Sequence, residues 1–335
     1  MPHETTDTRP AAPGGDASGP RDPYAPARAE LARRLARRNR PPEGPPSLDE
    51  VVAEVVDLRP LPQVATKILG LDEGRFSAHE LAAIIASDQA LTAKLLRLAN
   101  SAYYGYARRI TSVRDAVVLL GFRAVRGATL ASCVMQPPVS ASAAARAATP
   151  SNLDAGAFWQ FSVATGMLAE VLACTEGAHR DDAFTAGVVH QIGVLALDQT
   201  YPAALRTAIE AAEVDGCTLH EAERRVLGFT DADVGGALAQ HWAFPEPLVE
   251  AVRDYQRPLD SLPDPQSLTA FVLRARLFAR SHGLADGLAG RTTPEDEATH
   301  GGEWGVPPLS VALRQSGGMA SVMERVDAFL AATLV

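Results

Sequence analysis

DDAFTAGVVHQIGVL, residues 181–195, reads as one helix with a chemical question at its end. Asp181 is the expected N-cap. Phe184, Val188 and Val189 form an apolar stripe, and Gly193 is placed to close the helix in a left-handed conformation. A histidine followed by a carboxylate here would be half of a metal site. The residue after His190 is instead Gln191, a neutral amide that cannot supply a carboxylate's charge. A hydrolytic centre built on helices needs several imidazoles and carboxylates converging on the ion, with a position open to water. His190 alone is one ligand. Its expected state is a buried histidine satisfied by a helix carbonyl or a neighbouring side chain, with metal ligation the lesser reading.

Outward from this stretch the pattern stays helical. Ser47-Leu48-Asp49-Glu50 and Ser77-Ala78-His79-Glu80 are capping boxes, Leu61-Pro62 opens a helix through QVATKILGL, and Asp88 caps QALTAKLLRLAN. Leu91, Leu95, Leu98 and Ala99 recur there at helical spacing, and Asn100, Ser101 and Gly105 break the run. Thr111 is the expected cap of SVRDAVVLL, Gly121 its stop, and RAVRGATLASCVM the next helix. Residues 136–151 read as a small-residue loop between two halves. Asn152 or Asp154 starts a long helix through Phe158, Trp159, Met167, Leu168 and Val171. Helices are expected over 201–213, 218–227, 231–241, 247–256, 268–282 and 319–334, with a long polar loop over 283–308.

Composition agrees. Of 335 residues 47% are apolar and only 6% aromatic, with Ala and Leu abundant and no sustained β-branched alternation, so the expected class is all-α. The net charge of −9 argues against a nucleic-acid role. The three cysteines, Cys133, Cys174 and Cys217, have no zinc spacing and are expected to be buried free thiols in a reducing compartment. No basic segment followed by an apolar run opens the chain, and no stretch of about 18 uninterrupted apolar residues occurs. The expectation is a soluble, cytoplasmic protein without a membrane span. Residues 1–46 are expected to be a disordered tail whose Ala29–Arg40 segment forms a short basic helix. That helix is either solvated or a weak contact for an acidic partner or membrane surface.

Phosphate-loop, dinucleotide and nucleophile-elbow motifs are absent. His220-Glu221-Ala222-Glu223-Arg224 misses a zincin motif by one residue, since Arg224 cannot ligate zinc, and is read as a solvated helix face.

The ordered series of segments from Leu58 to Pro258 resembles the HDOD family, the non-catalytic relatives of HD-domain phosphohydrolases and HD-GYP phosphodiesterases. LPQVATKIL looks like that family's opening helix. SDQALTAKLLRLANSAYYG is similar to its DPALTAKLLRLANSAYYG segment, with Gln89 where proline is usual. RITSV with Ala116 and Leu119-Leu120-Gly121 follows. Phe158-Trp159 with Ser162, Gly187 with His190 and Ile192-Gly193, and Gly235 with Trp242 and Pro245 resemble the second half. The resemblance places the catalytic relatives' first histidine at Phe161, their His-Asp pair at His190-Gln191, a later histidine near Asp231 and a paired His-His near Tyr255-Gln256. It therefore implies a helical regulatory module with no cofactor and no phosphodiesterase activity. Such a module acts through proteins in trans, among them two-component or cyclic-di-GMP pathway components.

The expected architecture is an N-terminal helical half, 47–135, packed on a degenerate HD-like half, 152–258, with helices in 259–335 completing the bundle. The groove between the halves is the expected site for a partner helix or ligand. Asp88, Asn100, Ser101, Tyr103, Tyr104 and Arg109 are candidate partner contacts, although helix capping and packing account for most of them equally well. Arg109, Arg114, Arg123 and Arg126 could bind a cyclic dinucleotide, because arginine pairs well with phosphate, or form a solvated basic face. Two rival functions follow: a residual metal-dependent phosphohydrolase using His190, and a cyclic-dinucleotide sensor without catalysis.

Overall fold

Helix ends in this chain are set by short polar side chains, and most sit where capping chemistry puts them. The structure, a computed structural model, describes residues 46–58, 63–69, 77–135, 151–288 and 307–333. Expectations for residues 1–45, for Leu61-Pro62, for the 136–150 loop and for most of the 283–308 loop lie outside these residues. Helices α1 (Leu48–Leu58), α2 (Gln63–Leu69), α3 (Ala78–Ala86) and α4 (Gln89–Ala99) come first. Ser47 and Glu50 form a reciprocal capping box, as do Ser77 and Glu80. Asp88 accepts the Leu91 amide at 3.0 Å. Asp88→Ala should cost about 1 kcal/mol of stability, read by denaturant unfolding.

Helices α5 (Val113–Leu120) and α6 (Phe122–Val134) turn about Gly121, at φ 92°. The cap of α5 is Ser112, not Thr111: its hydroxyl accepts the Asp115 amide at 3.0 Å. Asn100 fixes this register. Its side-chain NH2 donates to the Ile110 carbonyl and its carbonyl accepts the Ile110 amide, both at 2.7 Å, so the chain stays extended through Thr111.

Helix α7 (Ala155–Thr175) is capped by Asp154 and forms the centre of the fold. By composition its 21 residues could cross a membrane, yet most of it is buried among other helices of the same chain. These are α8 (Arg180–Val189), α14 (Leu268–Ser281), α15 (Pro307–Gln315) and α16 (Gly318–Thr333). Between them run α9 (Ile192–Thr200), α10 (Pro202–Asp215), α11 (Leu219–Val226), α12 (Asp231–His241) and α13 (Glu246–Asp254). Among the described residues there is no strand, only an isolated bridge between Leu153 and Leu288 that ties the start of α7 to the loop after α14. The first helix, α1, packs on α9 and α12, and the last, α16, packs on α4 and α7. Both ends of the described chain thus pack on helices of the 152–258 stretch.

The opening stretch differs from its sequence reading at both ends. Asp181 lies inside the first turn of α8, and the N-cap is His179, which makes no side-chain capping bond. Gly193 does not close α8. The break falls at His190-Gln191, and Gly193 lies inside α9 with ordinary helical backbone. Its role is close approach: a Cβ there would lie 1.8 Å from the Asp231 carbonyl oxygen. Helix α15 begins at the end of the expected polar loop and fills the unassigned span before the last helix. Its Ala312 and Leu313 are buried, an apolar pair too short to signal a helix by itself. Of the cysteines only Cys133 is buried; Cys174 is exposed and Cys217 intermediate, because both stand at helix ends rather than on a core-facing stripe.

Candidate functional site

Two glycine contacts build the centre. Gly187 of α8 crosses Gly166 of α7 so closely that a Cβ on Gly187 would lie 2.4 Å from the Gly166 Cα. Gly193 brings α9 equally close to the start of α12. These contacts draw the break at His190-Gln191 toward Phe161 of α7, Asp231 of α12 and Tyr255 beyond α13. The positions that the family resemblance assigns to metal ligands therefore do converge. The His190 ring lies 6.1 Å from Phe161 and 5.0 Å, edge-on, from Tyr255. The Tyr255 hydroxyl donates to Asp231, and the Gln256 amide donates to the other Asp231 oxygen at 2.8 Å.

What converges is not a ligand set. His190 is fully buried and its Nδ1–H donates to the Gly187 carbonyl at 2.6 Å, which leaves the lone pair on Nε2. That atom and Gln191 Oε1 are buried without a hydrogen-bond partner. The Asp231 carboxylate is occupied by Tyr255 and Gln256, while its backbone amide donates to Glu223 Oε2 at 3.0 Å. Among the described residues no three His, Cys, Asp or Glu side chains are grouped as metal ligands. Phe161 presents hydrocarbon where a donor is needed. The residues present do not fit the metal pair of a catalytic HD site.

Positive charge fills the same region. Arg276 and Arg280 lie four residues apart on α14 and so share a face. The Arg276 guanidinium carbon sits 5.2 Å from the Tyr255 ring centroid, and that of Arg280 5.7 Å from Phe161. Arg280 is also paired with Asp286. Burial, and then the charge of Arg276 and Arg280, push the His190 pKa from 6.5 down to about 3, against the opposing Gly187 bond. His190 is therefore neutral at physiological pH. An unfolded histidine takes up its proton near pH 6.5, so the unfolded chain binds the additional proton between about 6.5 and 3. Stability conferred by His190 is complete above pH 6.5 and falls with acid, by about 1.4 kcal/mol per pH unit across that window. His190→Leu should flatten this slope in urea titrations run at several pH values.

The remaining candidates separate into structural and exposed groups. Asp88 is an N-cap. Asn100 and Ser101 satisfy the end of α4, Ser101 by donating to the Leu98 carbonyl at 2.7 Å. Tyr103 packs against Phe184 and Phe329, beneath Arg325. Arg325 reaches Glu170 of α7 at 2.9 Å, and Arg180 reaches its other oxygen at 2.7 Å, so one buried carboxylate pins α8 and α16 to the central helix. Arg123 and Arg126 both bind Asp182, at 2.6 and 3.2 Å. Arg109 and Arg114 are exposed and do not share the Asp182 carboxylate. Near the missed zincin motif, Glu221 is held in the Thr218 capping box.

Sequence reasoning missed Arg276, Arg280 and Glu170. A signal existed: RARLFAR carries three arginines in a helix whose face is otherwise apolar, and a charge on a core face needs a buried partner or a role. Also missed was Asn152, whose amide groups hold Asp198 of α9 and the Pro202 carbonyl.

Known proteins share this fold. The HDOD domain model matches residues 58–258. An HDOD domain protein from Geobacter sulfurreducens superposes with a TM-score of 0.65 at 22% identity, covering 85% of this chain and 98% of that one. A candidate phosphohydrolase from Shewanella amazonensis superposes at 0.62 with 26% identity, covering 83% and 98%. An uncharacterised protein of Treponema pallidum is 26% identical over 211 residues, 61% of this chain. The chain spans about two fifths of that relative's length, the match covering 39% of it. With the family model spanning more than half of the residues, and the helices it covers folded around the degenerate centre described above, the chain belongs to the HDOD family.

Proposed function

We propose that this chain is a non-catalytic regulatory module that acts by binding other proteins in a signalling pathway, with two-component or cyclic-di-GMP components as its partners in trans. The observation that carries the reading is the content of the converged centre. Phe161 and Tyr255 stand at positions where the resemblance puts ligands, two arginines lie over their rings, and the Asp231 carboxylate is taken up by Tyr255 and Gln256. A cation there would meet the Arg276 guanidinium at short range in a medium of low polarity, which opposes binding, while the Arg280 charge is paired with Asp286. The helical frame around the centre is kept, so its value lies in shape and surface rather than in chemistry.

Purified chain should carry Fe, Mn and Zn well below one equivalent by elemental analysis. It should turn over neither bis-p-nitrophenyl phosphate nor cyclic dinucleotides above a blank. Stoichiometric metal together with hydrolysis that His190→Ala abolishes would establish the phosphohydrolase reading instead. The sensor reading has less support than its four arginines promised, because Asp182 neutralises part of the Arg123 and Arg126 charge.

A further inference from the structure

Helix α5 is amphipathic with an anomaly on its wet side. Val113, Ala116 and Val117 fill the core-facing stripe. Val118 and Leu119 point outward and are 66% and 50% exposed. Tyr106, 43% exposed, reaches the end of the same helix and donates its hydroxyl to the Leu119 carbonyl at 2.9 Å. These are three of the five large apolar side chains exposed among the described residues, and the Tyr106–Leu119 bond brings them to one end of α5. Folding supplies no reason for two adjacent aliphatic residues on a solvent face.

The patch is framed by positive charge. Arg114 precedes Val118 by one helical turn and shares its side of α5, while Arg108 and Arg109 precede the helix in the loop that carries Tyr106. All three are exposed, and in contrast to Arg123 and Arg126 none has an ion pair among the described residues. Asp115 is the one acid on the same turn. Three cations gathered at an apolar surface stand out on a chain of net charge −9. Tyrosine and arginine are enriched in protein interfaces, and arginine pairs with carboxylates through two parallel bonds.

We infer that Tyr106, Val118 and Leu119, framed by Arg108, Arg109 and Arg114, form the docking surface for an acidic segment of another protein that carries apolar side chains among its carboxylates. This rests on the reading of the chain as a binding module and names where it binds and what it binds. A nucleic acid would use the arginines but gain little from the aliphatic pair, and would be repelled by the rest of the molecule. A second copy would have to offer an acidic apolar region of its own, such as Val214 with Glu210, Glu213 and Asp215.

The test is photo-crosslinking of the full chain in cells that express it natively. p-Benzoylphenylalanine replaces Val118, or Val214 as a control, and the adducts are sequenced. The expected result is a Val118-specific adduct with an acidic, apolar segment of another protein. Its yield should fall about tenfold or more in the Arg109→Glu/Arg114→Glu variant, equivalent to about 1.4 kcal/mol. Circular dichroism should show that variant folded, since both positions are exposed. No adduct above the Val214 control overturns the inference, as does an adduct with nucleic acid, with a second copy or with a basic segment, or one indifferent to charge reversal. The binding-module reading is judged separately, by metal content and hydrolysis, so the failure of one is distinguishable from the failure of the other.

Discussion

Gly187→Ala should destabilise the protein by about 3 kcal/mol, the upper end of what overpacking a close-packed interior costs. On an isolated helix the same change would be favourable by about 1 kcal/mol, because alanine has the higher helical propensity. The sign reverses because of what the added methyl meets. It would lie 2.4 Å from the Gly166 Cα and 2.7 Å from its amide nitrogen, and both are backbone. No rotamer change relieves a backbone contact, so α7 and α8 must separate. That movement would also draw His190 away from Phe161 and Tyr255. Guanidinium unfolding of the purified variant, followed by far-UV circular dichroism, gives the change directly. A variant as stable as the parent would mean that the two helices do not cross at these glycines.

Asp231→Ala should cost about 3 kcal/mol as well, through a different mechanism. Asp231 is fully buried and accepts from the Tyr255 hydroxyl and the Gln256 amide. Removing the carboxylate leaves the buried Tyr255 hydroxyl without its acceptor, and the penalty is chiefly its desolvation, because Gln256 is half-buried and keeps its bond to that hydroxyl. Asp231→Asn should cost less, since its carbonyl oxygen still accepts from one of the two donors. This pair of variants also separates architecture from chemistry. A structural Asp231 changes the unfolding midpoint of both variants in proportion to the acceptors lost. A ligating Asp231 would change bound metal in both alike. Denaturant titration and elemental analysis on the same preparations read the two effects independently.

Both variants concern what holds the helices together at the centre. Metal ligands crosslink helices by coordination. Here the same helices are joined by glycine contacts, by Asp231 with its two donors, and by the arginines of α14 that lie over Tyr255 and Phe161. Cohesion at this centre comes from packing and hydrogen bonds. Further out, Glu170 performs the same task for α8 and α16 through Arg180 and Arg325.

The class of fold and most helix boundaries were legible in the sequence, because capping and amphipathic spacing are local. Ser77, Asp88, Asp154, Thr218 and Thr230 act within four residues of themselves, and each caps the helix that follows it. The fate of the site was half legible. The resemblance put Phe161 and Gln191 at ligand positions, but nothing in the pattern said which side chains surround them. Arg276 lies 86 positions from His190, and a buried guanidinium looks the same in sequence as a solvated one. Gly193 is the sharpest case. The sequence allowed it a left-handed helix stop, a property of its own backbone. Tertiary structure made it the point where α9 touches Asp231, which depends on a neighbour 38 positions away. Local physics sets what each helix is, whereas only the packing of distant segments decides what meets at its end.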